Sequence, residues 1–215
     1  MPLAVLFVVL LALSAPQSAR LPVTPPARAS LICVMLCLAF TLNTAIHVLP
    51  RAPAYRYWKL LTLDLRMGDC SETLSEYEML YEKLRHEKIF LSEYARCLSA
   101  AGYYEVGNTV YEQYLLHNAN PEIYIAMGNN YKAMGKFEQA EKSYIHASHI
   151  RPNRHYPLYL LMVLYQETGQ NGKALQTAHN LLEKQVKIPS QVIEKMKEEA
   201  KKVIDSSYTR CGLKL

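Results

Sequence analysis

Hydrophobic residues follow two different patterns along this chain. Leu3–Leu13 and Leu31–Leu49 are almost unbroken apolar runs. From about residue 52 onward, apolar side chains recur every three or four positions with charges between them, the period of an amphipathic helix. As a helix, the 31–49 run would reach about 28 Å, close to the ~30 Å hydrocarbon core of a bilayer. Its exit carries Arg51, Tyr55, Arg56, Tyr57, Trp58 and Lys59, aromatic and long cationic side chains that the headgroup region favours. A transmembrane helix over 31–49 is therefore predicted. Asn43 and His47 share one of its faces, where they suit a contact with another membrane helix or, the preferred reading, a place near the interface. The 3–13 run would reach only about 17 Å, too short to span alone. It reads as a poor secretory signal, with no Lys or Arg before it, or as the end of a longer membrane helix. Residues 1–50 are thus expected to anchor the chain in a membrane, with one or two passes.

The amphipathic part repeats itself. Gly68, Gly102, Gly135 and Gly169 are 34, 33 and 34 residues apart. Pro121–Arg154 is the clearest copy, with Tyr124, Met127, Gly128, Tyr131, Ala140, Tyr144, Ala147 and Pro152 at fixed places within it. The small residues Gly128 and Ala140 allow two helices to cross closely, and Tyr131 and Tyr144 fill the space around the crossing. Gly135 ends the first helix and Pro152 the second. A period of about 34 residues with this pattern is the signature of tetratricopeptide repeats, each a helix–turn–helix unit. The copy beginning at His155 has Met162 where a small residue is usual, and the copy over 54–87 has Asp64 where an aromatic is expected. Ser190 caps a last amphipathic helix that would cover the open end of the stack. The fold predicted is all-α: N-terminal membrane helices, then a tetratricopeptide-type superhelix over 51–206 with a C-terminal capping helix, and a flexible tail over 207–215.

Charge and composition narrow the function. The first fifty residues hold only Arg20 and Arg28 as charged groups, and the rest carries 22 bases against 19 acids. Bases and acids alternate along helix faces, as in Glu194–Glu199, so no basic stripe for nucleic acid is present and no nucleic-acid partner is predicted. Five cysteines without a C-x-x-C pair imply neither a disulfide framework nor a zinc site. His146 and His149 are spaced to share a metal, but no acid or cysteine has fitting spacing, so a solvated helix face is the preferred reading. No nucleophile elbow, phosphate loop or metalloprotease motif occurs. A protein-binding or scaffolding module without cofactor or catalytic residue is predicted.

The inner groove of such an array is lined by the first helix of each repeat. Here that places Glu122, Ile125, Asn129 and Lys132 beside Tyr156, Tyr159, Val163 and Gln166, with Ile89, Ser92, Arg96 and Ser99 from the preceding copy. Receptors of this fold that clamp a terminal carboxylate use a lysine where Ile125 stands, so that clamp is not expected. A mixed aromatic, polar and weakly cationic groove for an extended peptide or a helix is expected.

The wording of Phe90–Glu105, Met127–Gln170 and Lys187–Lys202 resembles the C-terminal tails of certain bacterial O-antigen ligase or polymerase-like membrane proteins. The resemblance covers about Val48 to Ser206. It implies a last membrane span, a short basic and aromatic connection, and a repeat tail, set in the bacterial inner (cytoplasmic) membrane with the side of the repeat domain open. It also implies a link to surface-glycan assembly. The membrane helices and large loop that carry the family's transfer chemistry have no counterpart here, so no catalytic residue is mapped. The alternative is a C-terminal fragment of such a glycan-transferring protein, inactive on its own.

Overall fold

A computed structural model of the chain describes residues 27–48, 51–64, 70, 73–116, 118–186 and 189–210. The chain divides at Pro50 into two units. In the first, the described residues form one helix, α1 (Ala27–Val48). In the second they form α2 (Ala52–Asp64), α3 (Leu74–Leu84), α4 (Lys88–Ala100), α5 (Tyr104–Leu115), α6 (Pro121–Ala133), α7 (Phe137–Ile150), α8 (Tyr156–Glu167), α9 (Asn171–Glu183) and α10 (Gln191–Arg210). Helices α4/α5, α6/α7 and α8/α9 pack as pairs, and each pair stacks on the next. This is an all-α helical repeat.

The expected membrane helices need correction. Among the described residues, no helix is long and apolar enough to cross a membrane. Helix α1 carries polar side chains within its apolar run. Thr41, Asn43 and Thr44 interrupt that stretch, and the two threonine hydroxyls donate back to the carbonyls of Leu38 and Thr41 at 3.0 and 2.8 Å. The inner-membrane location built on the 31–49 span falls with it. The 3–13 run lies outside the described residues.

The periodic glycines end helices for a local reason. Gly102, Gly135 and Gly169 have φ of 86°, 72° and 72°, a backbone region costly for residues with a Cβ. After Gly135 the chain folds back so that Lys136 N–H reaches the Tyr131 carbonyl at 2.8 Å, and Tyr103 and Gln170 repeat that bond at 2.8 Å each. Such bonds satisfy carbonyls that a helix end leaves open. At the other end of α6, the Asn120 side chain accepts from Glu122 N–H at 3.0 Å and Pro121 occupies the first turn. Gly68 lies outside the described residues.

Gly128 is small for a different reason. A Cβ there would lie 2.4 Å from Cε1 of Tyr144, whose ring is fully buried. The equivalent positions in the neighbouring pairs hold Ala95 with Tyr111 and Met162 with Ala178. Met162 and Ala178 are 1% and 0% exposed. The oversized Met162 is therefore offset by a small partner: the bulk has moved across the helix pair, and volume is conserved.

Two buried clusters run through the stack, and Tyr131 packs against both. The first repeat is anchored by aromatics: Trp58 meets Phe90 edge-on at 5.8 Å, and Tyr77 stacks on Tyr94 at 6.0 Å. Helix α10 closes the far end by burying Met196, Ala200, Val203 and Ile204 in the second cluster, while Val192 stays exposed. Ile193 N–H donates to Ser190 Oγ at 3.3 Å, which caps this helix. It extends to Arg210, past the 206 boundary expected from the sequence, and residues 211–215 lie outside the described part.

Candidate partner-binding groove

The first helices of successive pairs line one side of the stack, and the expected groove residues divide along it. Toward the C-terminal end they are occupied by the protein itself. Glu122 receives Arg151 at 3.1 Å and Arg154 at 3.7 Å. Lys132 pairs with Glu167 at 2.7 Å. Asn129 accepts from the Tyr144 hydroxyl at 2.8 Å. Tyr156 stacks on Tyr159 at 6.4 Å, and the Tyr159 hydroxyl donates to Glu199 of the capping helix at 2.6 Å. That hydrogen bond, with burial second, pushes the Tyr159 phenol up to about 12. Val163 is half-buried against the second cluster, and Gln166 is exposed. Ile125 sits in a small cleft of about 140 Å³ with Pro121, Glu122, Arg154, Tyr156 and Pro157.

Ser99 is drawn inward. Its hydroxyl donates to the Ala95 carbonyl at 2.8 Å and accepts from Asn130 Nδ2 at 2.8 Å; the same Nδ2 reaches Asn108 Oδ1 at 2.8 Å. Nδ2 of Asn108 is buried and has no partner among the described residues.

Arg96 belongs to a larger cleft of about 530 Å³ between α2 and α4, lined by Tyr55, Trp58, Lys59, Thr62, Ile89 and Glu93. Its floor is held from behind. Trp58 Nε1–H donates to Glu93 Oε2 at 2.8 Å, and the Tyr77 hydroxyl donates to the same oxygen at 3.3 Å. Burial, then the nearby Glu87 carboxylate, pushes the Tyr55 phenol up to about 12. The sequence reading missed Tyr55, Trp58, Lys59, Thr62 and Glu93. The signal was present: one period before Ile89, Ser92 and Arg96 stand Tyr55, Trp58 and Thr62. Aromatic and cationic side chains after an apolar run also suit a membrane interface, and that likeness obscures their repeat register.

The histidines are apart in kind. His146 is exposed and stacks on Tyr124 at 5.2 Å, while His149 is exposed. His155 is buried, with Nε2 3.4 Å from the Lys184 carbonyl. No group of three metal-binding side chains occurs among the described residues.

No family profile and no curated protein matches the chain. Solved structures do. A crystal structure of MamA protein aligns with a TM-score of 0.59 at 14% identity, covering 74% of this chain and 83% of that one. MamA residues 41 to the end from Desulfovibrio magneticus RS-1 align at 0.58 and 16% identity, over 74% and 86%. The tetratricopeptide domain of Sgt2 from Aspergillus fumigatus aligns at 0.47 and 19% identity, over 57% and 82%. The chain has an all-α helical repeat fold similar to tetratricopeptide-repeat proteins. The connection to O-antigen ligase tails has no counterpart among these structures.

Proposed function

We propose that the repeat unit is a protein-binding module that takes an extended segment of a partner along the face made by α2, α4, α6 and α8. The supporting observation is that both the 530 Å³ and the 140 Å³ clefts open between consecutive first helices, where Tyr55, Ile89, Glu122 and Tyr156 occupy one equivalent row. A partner segment crossing these helices meets alternating aromatic, aliphatic and charged groups, the arrangement that peptide grooves use. The resemblance to ligase-like tails supports a setting in surface-glycan assembly, with a glycan-transferring protein as the partner.

A photo-crosslinking residue scan of the full chain in its source cells tests this. Probes at Ile89, Ser92 and Ile125 should give one shared adduct, and probes at the exposed second-helix positions Glu112, Lys142 and His149 should not. Equal capture from both sets, or from neither, contradicts the groove. An adduct with a protein unrelated to glycan transfer contradicts the setting but not the groove.

A further inference from the structure

The two ends of the groove differ in what they leave unpaired. At the α6/α8 end, Lys132, Glu122, Asn129 and Tyr159 already have partners within the chain. At the α2/α4 end, the side-chain cations of Lys59 and Arg96 make no hydrogen bond or ion pair among the described residues. Glu93 is the acid in that cleft, and one of its oxygens is already committed to Trp58 and Tyr77. Glu87 is engaged with the Tyr55 phenol, and Arg51 acts on the same phenol in the opposite sense. The same cleft offers an apolar surface: Ile89 is 65% exposed, and Trp58 is fixed in place by Phe90 and Glu93. A rigid aromatic with an exposed aliphatic neighbour is an anchor for an apolar side chain. Two cations in the same cleft favour carboxylates on the same ligand.

Resting on the groove reading above, we infer that the α2/α4 cleft is the dominant docking site and that its occupant is an acidic peptide segment of a partner. An aliphatic or aromatic side chain of that segment packs on Trp58 and Ile89. Carboxylates one or two residues away meet Arg96 and Lys59. The ion-paired α6/α8 end extends the groove but contributes less affinity, because a ligand there must displace existing partners.

Trp58 is the chain's single tryptophan, so its fluorescence reports this cleft without a label. The full chain is titrated with the acetylated, amidated peptide SLEFDELS and with its charge-reversed form SLKFKKLS, following Trp58 emission and, in parallel, anisotropy of dye-labelled peptide. The acidic peptide should shift Trp58 emission saturably and bind at least about tenfold more tightly than the lysine form, with the difference shrinking as salt rises. Arg96→Glu and, separately, Lys59→Glu should each remove about tenfold in affinity at unchanged melting temperature. Equal or tighter binding of the lysine peptide overturns the assigned chemistry while leaving a groove that binds peptides. Saturable anisotropy with unchanged Trp58 emission overturns the site and leaves the groove reading standing. No binding of either peptide overturns this inference, and the crosslinking scan then decides the groove itself.

Discussion

Glycine has two separate uses in this chain, and substitution distinguishes them. At Gly135 nothing crowds the missing Cβ but φ is 72°, whereas at Gly128 a Cβ would strike the Tyr144 ring at 2.4 Å. Gly135→Ala should cost about 1–2 kcal/mol of stability through backbone strain. Gly128→Leu should cost about 1–3 kcal/mol or more through overpacking. In a Gly128→Leu/Tyr144→Ala double variant, which copies the Met162/Ala178 exchange of volume, much of that loss should return; urea unfolding of the three variants checks this. His155 adds a pH dependence. Burial first, then Lys197 and Lys184 nearby, holds its imidazole below the ordinary 6.5, against the Lys184 carbonyl, which raises it. The unfolded chain then binds a proton more readily than the folded one. This contribution to stability is complete above about 6.5 and is lost as pH falls through the folded value. The unfolding midpoint should therefore fall on acidification below 6.5, and His155→Gln should flatten that slope; an unchanged slope contradicts the assignment.

Among the elements, the repeat helices were legible because their period is written in residues that cannot be exchanged freely. Positive φ fixes Gly102, Gly135 and Gly169, and close crossing fixes Gly128 and Ala140. The capping helix was legible from its amphipathic stripe, but not what fastens it. Lys197 Nζ donates to the carbonyls of Leu182 and Lys184 at 3.1 and 3.2 Å, closing the open end of α9, and Tyr159 reaches Glu199. Such bonds between distant segments leave no periodic trace. Met196→Ala, which removes a side chain of the second cluster, should cost about 2–5 kcal/mol. Lys197→Met should lower hydrogen-exchange protection in α10 before that of α6 and α7. Uniform loss of protection throughout the unit would show that the cap is not a separable element.

For the whole molecule, the apolar run at 31–49 invited a membrane reading because hydropathy alone does not tell a span from another apolar helix. Tyr55 and Trp58 suit the interface of such a span, although the 34-residue period sets them in the same rows as Ile89 and Ser92. The proposed groove rests on equivalent positions that the period gives. Which of them a ligand can use is not legible in the sequence, because availability depends on pairings across the stack such as Lys132 with Glu167 and Glu122 with Arg151. The most direct test of the account compares the affinity of the acidic peptide for two double variants, Ile89→Ala/Arg96→Ala and Ile125→Ala/Asn129→Ala. A loss of at least about tenfold is expected for the first pair and less than about threefold for the second. The reverse order, or equal losses, would contradict a groove whose affinity is concentrated over α2 and α4.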